Sequence, residues 1–246
     1  MNRNQTVEKL QKMRINAMAE MHLHHLKNNL YNQCTPDEYI AILTDQEWEH
    51  RENNRIDRLL KQAQFRQPAS IADVDFKSPR NLEKNMFNRL ANLDFVSKKE
   101  NLIVTGASGV GKSYLTQAIG HQACLMGLRV QYHITARLLN RLKLAKLDGT
   151  YIKDLKKLSK LDVLILDDFG LQAFDNHARE ALMDIIEDRY NTSSTFVSSQ
   201  IPVSAWYDII GEGTIADAIL DRLINSSHRI ELKGDSLRKS FLENKK

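Results

Sequence analysis

One octapeptide limits what this chain can fold into more than any other feature. Residues 106–113 read Gly-Ala-Ser-Gly-Val-Gly-Lys-Ser: a glycine, four residues, then Gly-Lys-Ser, the spacing of a phosphate-binding loop. The glycines let the backbone turn so that its N–H groups converge on one anion. Lys112 then reaches the β and γ phosphates, and the Ser113 hydroxyl is placed to ligate Mg²⁺. Leu102-Ile103-Val104-Thr105 before the loop is an apolar, β-prone run. Tyr114 to Met126 after it has apolar residues at helical spacing, Leu115, Ala118, Ile119 and Ala123. Strand, loop and helix in that order put the loop at a helix N-terminus, where free N–H groups and the helix dipole favour negative charge. The expected nucleotide contacts are Gly106, Ala107, Ser108, Gly109, Val110, Gly111, Lys112, Ser113 and Tyr114.

Beyond the loop, helical patterns alternate with short apolar strands at Arg129–His133, Asp162–Leu166, Thr195–Ser198 and His228–Leu232. With the loop strand this gives an α/β fold, a five-stranded parallel sheet flanked by helices. The strand Val163 to Leu166 runs into Asp167 and Asp168 at the sheet edge, where ligands bind in open α/β folds. Asp167 is the expected magnesium ligand beside Ser113, and Asp168 the carboxylate that polarises attacking water. A strand ending at Ser198-Ser199 and lying between the loop strand and the Asp167 strand would bring Gln200 near the γ-phosphate. Arg222 and Arg238 lie at helix ends, fit to be phosphate ligands or ordinary ion-pair partners.

Residues 1–65 have helical spacing and read as a small N-terminal domain that docks on a partner or another subunit. Thr35 is placed to cap a helix with Pro36 at its first position and Glu38 three residues on. His22, His24 and His25 have no accompanying cysteine or carboxylate and read as exposed or capping residues. Residues 66–80, punctuated by Pro68 and Pro79, read as a linker. A helix over Asn81–Leu93 then opens a nucleotide domain covering 81–246.

The net charge is +4. Between Arg137 and Lys160 eight basic residues face two acidic ones, a local excess of six, so the remainder is slightly acidic. Leu138, Leu139, Leu142 and Ala145 form an apolar stripe under them, which predicts a helix-turn-helix insertion at about 136–160 with its turn at Asp148-Gly149. Arg137, Arg141, Lys143, Lys146, Lys153, Lys156 and Lys157 are the candidate DNA contacts, neutralising phosphates without reading bases. A solvated helical face is the plain alternative. No apolar run approaches the roughly 20 residues that span a bilayer, and the polar first residues contain no signal-peptide core, so a cytoplasmic protein without a membrane partner is expected. Cys34 and Cys124 are too far apart and too few for a zinc site or a disulfide framework.

The ordered set of the phosphate loop, Leu166-Asp167-Asp168-Phe169-Gly170, Ser198-Ser199-Gln200, Ile215–Leu223 and Glu231–Lys239 resembles the IstB family of insertion-sequence helper ATPases, relatives of the DnaC helicase loader and the DnaA initiator within the AAA+ superfamily. Glu47-Trp48-Glu49, Arg51-Glu52-Asn53 and Gln67-Pro68-Ala69 extend the resemblance to the N-terminal part. It implies an ATPase with ATP and Mg²⁺ that assembles as a ring or spiral on double-stranded DNA and recruits a cognate transposase, in a bacterial cytoplasm and on the nucleoid when active. The alternative is a helicase loader of the DnaC kind. The resemblance assigns Lys112 and Ser113 to ATP and magnesium, Asp167 to magnesium and Asp168 to the catalytic acidic position. Gln200 becomes the first sensor, Arg222 an arginine finger acting across an interface, and Arg238 the second sensor. Asp168 stands where the wider superfamily has glutamate, and Gln200 where it has asparagine.

Overall fold

The computed structural model describes residues 3–211 and 213–237. Contacts divide the chain into two units, Met1–Arg58 and Leu59–Lys246, and the division falls inside a helix.

The first unit holds α1 (Arg3–Lys12), α2 (Asn16–Asn28), a short 3₁₀ turn at Leu30–Gln33 and most of α3 (Pro36–Ala63). The capping box expected at Thr35 forms in both directions. Glu38 N donates to Thr35 Oγ1 at 3.3 Å, and Thr35 N donates to Glu38 Oε2 at 2.7 Å. Glu47 on α3 caps α2 from outside, accepting from Ala17 N (3.0 Å) and Met18 N (3.2 Å). Burial works against this carboxylate, but Arg51 and the two amides together hold its pKa below the ordinary value. His25, expected to be exposed or capping, is instead buried against Tyr39, with ring centroids 5.4 Å apart.

The second unit is built on five parallel strands: β1 (Asn101–Gly106), β2 (Val130–Ile134), β3 (Val163–Asp167), β4 (Ser194–Ser199) and β5 (Ser227–Leu232). They are ordered β2-β3-β4-β1-β5. β4 therefore lies between the loop strand and the Asp167 strand, paired with β1 through Thr105 and Ser199 and with β3 through Leu166 and Val197. Every residue of β3 and β4 is buried, as expected where helices cover both faces of a parallel sheet. Ahead of the sheet are α4 (Lys84–Ala91) and α5 (Asp94–Ser97). The single helix expected over Asn81–Leu93 is thus shorter and is followed by a second, because Leu93 adopts a left-handed conformation (φ 63°) that no continuing helix allows.

After β1 comes α6 (Lys112–Leu125); after β2 come α7 (Thr135–Leu147) and α8 (Tyr151–Ser159), a helical hairpin that turns at Asp148-Gly149. After β3 comes α9 (Asn176–Arg189), and α10 (Trp206–Ile210) and α11 (Gly213–Ile224) precede β5. Two apolar clusters sandwich the sheet. One includes Val104, Leu115, Ile119, Ile165 and Phe196; the other includes Ile103, Leu142, Leu164, Leu182 and Val197. Alternate residues of one strand serve opposite clusters, the period-two rule for a covered sheet.

Candidate nucleotide site

β1 ends at Gly106 and α6 begins at Lys112, so the loop bridges the C-terminal edge of the sheet and a helix N-terminus. Gly109 (φ 84°) and Gly111 (φ 100°) take conformations that L side chains rarely adopt. A Cβ at Gly109 would collide with Ser236, and one at Gly111 with the Arg80 guanidinium. Only glycine fits this cradle at either position. Lys112 Nζ donates to Ala107 O at 2.7 Å, which folds the side chain back over the loop.

Asp167 ends β3 with no exposed surface. Its Oδ1 accepts from Ser113 Oγ at 2.9 Å and from Ser198 Oγ; its Oδ2 accepts from Tyr132 OH at 2.6 Å. Ser113 and Asp167 are hard oxygen donors side by side, a pair that fits Mg²⁺, which takes one or two carboxylates and completes its shell with phosphate and water. The Tyr132 phenol has its pKa raised by burial and then by Asp167, so it stays protonated as a donor. Among the described residues no cluster of three or more His, Cys, Asp or Glu could hold a metal.

A cavity of about 280 Å³ opens on the loop. Ser108, Gly109, Gly111, Lys112, Ser113 and Tyr114 line it, together with Asp168 and Gln200. The chain turns sharply after β3, with Asp168 left-handed (φ 54°), a conformation that aspartate tolerates better than most residues. The β3-β4 neighbour relation carries Gln200 to the same edge, where Phe169 N donates to Ser198 O at 2.9 Å. Of the other expected contacts, Val110 is buried under the loop, Gly106 closes β1 and Ala107 receives Lys112.

Arg222 is placed elsewhere. Its backbone carbonyl accepts from Asn101 Nδ2 at 3.2 Å, so it sits by the start of β1, while the loop leaves from the other end. Five strand steps of about 3.3 Å separate those ends by roughly 16 Å. Its Nε lies 2.7 Å from Glu187 Oε2, without hydrogen-bond alignment, and its guanidinium stacks over Tyr190 at 5.6 Å. Arg238 lies outside the described residues. Arg137, Arg141, Lys143, Lys146, Lys153, Lys156 and Lys157 are all exposed on the α7-α8 hairpin, above buried Leu138, Leu139, Leu142 and Ala145. Lys143 pairs with Asp175, Lys146 with Glu180 and Lys157 with Asp154. Among the described residues the other four form no ion pair.

Three participants have no sequence motif. Tyr132 reaches Asp167 because β2 and β3 are neighbours in register, with Ile134 opposite Asp167. Segment 66–80 packs on α6, where Arg66 N and Gln67 N donate to Gln117 Oε1 (2.8 and 3.3 Å). Arg80, from that segment, borders the cavity.

The strand order, the phosphate loop on β1 and the acidic end of β3 define a P-loop ATP-binding protein of the AAA+ class. The family model for IstB-like ATP binding proteins matches residues 8–244, and the chain belongs to that family. It is 41% identical over 235 residues to the insertion sequence ATP-binding protein y4pL of Sinorhizobium fredii, covering 96% of each. It is 37% identical to the ATP-binding protein of insertion sequence IS1162 from Pseudomonas fluorescens, covering 81% of this chain and 87% of that one. Among solved structures, the DnaC helicase loader matches with TM-score 0.54 at 24% identity, over 65% of this chain and 95% of that one. The DnaA initiator bound to AMPPCP and single-stranded DNA matches with TM-score 0.52 at 18% identity, over 70% and 56%. These two likenesses speak to fold alone. No described helix is long and apolar enough to cross a membrane.

Proposed function

We infer that this protein is an ATPase that assembles as a homo-oligomer on double-stranded DNA, largely without base readout, and recruits and stimulates a transposase there. ATP hydrolysis controls the assembly. Lys112 and the loop amides hold the polyphosphate, and Ser113 with Asp167 holds magnesium. Asp168 takes the proton of attacking water, and Gln200 orients that water near the γ-phosphate. Arg222 serves a neighbouring subunit's site, and Arg238 serves as second sensor. Residues 1–65 provide the partner or assembly domain. Mutual coverage of 96% with an insertion sequence relative supports a transposase over a helicase as partner; pull-down with each separates the two.

The observation that carries the DNA reading is the α7-α8 hairpin, whose exposed cations stand over a buried apolar stripe on an otherwise slightly acidic chain. Arg141, Lys153 and Lys156 form no ion pair among the described residues, so reversing them (Arg141→Glu, Lys153→Glu, Lys156→Glu) leaves no acid newly unpaired. The triple variant is expected to lose duplex retention at moderate salt and to keep ATP affinity. In wild type, log affinity should fall linearly with log salt, with a slope near 0.9 per phosphate neutralised. Unchanged duplex affinity in the triple variant would show that the hairpin is a solvated face.

A further inference from the structure

Arg80 precedes the sheet and is 3% exposed. Its Nη1 donates to Val110 O, a carbonyl of the phosphate loop, at 3.0 Å, and its Nη2 donates to Asp75 O at 2.5 Å. Its Nε is buried with no hydrogen-bond partner. Among the described residues no carboxylate forms an ion pair with it. The Asp75 carboxylate is taken up by Lys77 N, Ser78 N and Ser78 Oγ. Burial pulls the Arg80 pKa down, and the nearby Asp75 charge only partly opposes this.

The second buried arginine of this unit shows what a satisfied one looks like. Arg189 is 2% exposed and donates to Thr195 Oγ1, Leu158 O, Leu161 O and Ser194 O, using Nε and both Nη atoms. It ties α8, α9 and β4 together. Arg80 makes half as many bonds, leaves a donor idle and borders the cavity that the phosphate loop lines. A buried guanidinium without a counter-charge is costly, and the cost falls when an anion arrives.

Its bond to the loop has a directional consequence. In a planar trans peptide the C=O and the N–H point in opposite directions. Holding the Val110 carbonyl on Arg80 therefore aims the Gly111 N–H away from Arg80, and that N–H belongs to the anion cradle. The same residue's backbone carbonyl accepts from Lys233 N at 3.1 Å, and Gly109 O accepts from Leu237 N at 3.0 Å. The loop is thus braced from the segment before β1 and from the segment after β5.

We propose that Arg80 is a positioning residue and charge partner for the bound polyphosphate, fixing the Val110–Gly111 peptide and supplying a positive charge that forms no ion pair among the described residues. This rests on nucleotide binding at the loop and is independent of the DNA reading.

The test is binding of ATP, ADP and AMP, by displacement of a fluorescent ATP analogue, to wild type, Arg80→Met and Arg80→Lys, with melting curves taken without nucleotide. Arg80→Met should weaken ATP and ADP by about tenfold or more and AMP by less than about threefold, and Arg80→Lys should recover part of the loss. Equal losses for all three nucleotides in both variants would make Arg80 a structural brace and overturn the proposal, as would unchanged ATP affinity in Arg80→Met. Should Arg80→Met not melt cooperatively, Arg80→Gln, which removes the charge but keeps a polar end to the side chain, takes its place with the same expectations. Absence of ATP binding in wild type would instead overturn the nucleotide site itself.

Discussion

Asp167 is the residue on which the site's chemistry and its packing meet. A fully buried carboxylate is tolerable only when its lone pairs are taken up, and three hydroxyls do this, from Ser113, Ser198 and Tyr132. Tyr132→Phe removes one donor without changing shape and leaves Oδ2 buried without its partner. The expected cost is about 1–3 kcal/mol of stability, read as a lower urea midpoint at unchanged slope, and bound nucleotide with magnesium should recover part of it. An unchanged midpoint would mean that Oδ2 finds another donor. Asp167 was legible in the sequence because an apolar run ending in Asp, downstream of a phosphate loop, is a local pattern. Tyr132 and Arg80 were not: one depends on which strands become neighbours, the other on where an extended segment lies, and neither relation has a fixed spacing along the chain.

Elements were legible where their signal is local and lost precision where a boundary depends on one backbone angle. The capping box at Thr35 and Glu38 forms because side chain and amide lie three residues apart in any helix starting there. Thr35→Ala should therefore cost about 1 kcal/mol at the start of α3, seen as several-fold faster hydrogen exchange of the Asp37, Glu38 and Tyr39 amides with those of β1 and β3 unaffected. Equal exchange in both proteins would show that tertiary packing alone fixes that end. The five strands fall within a residue or two of their apolar runs, since a covered parallel strand is buried on both faces and reads as continuous. The break at Leu93 was hidden: its left-handed conformation separates α4 from α5 at a residue type with no preference for it. Likewise the excess of six charges on the hairpin was countable, while the pairing of Lys143 and Lys146 with acids on or beside α9 required the fold.

At the scale of the whole molecule, the placement of Arg222 decides what kind of site the phosphate loop can be. It lies at the opposite end of β1 from its own loop, so any action on a γ-phosphate must be on that of another copy. Within its own chain it makes an ion pair with Glu187 and a stacking contact with Tyr190. A partly exposed pair of this kind contributes at most about 1 kcal/mol. Arg222→Ala should accordingly fold normally and bind ATP as wild type does. If the arginine completes a neighbour's site, hydrolysis should fall by about 10³-fold or more, the range for arginines supplied across an interface. Lys112→Ala supplies the complementary defect, an intact arginine beside a loop that cannot hold the phosphates. Mixing the two variants creates interfaces that join the Arg222 of one to the loop of the other, so phosphate release in the mixture should exceed that of either alone. Release that merely averages the two would confine Arg222 to its ion pair with Glu187.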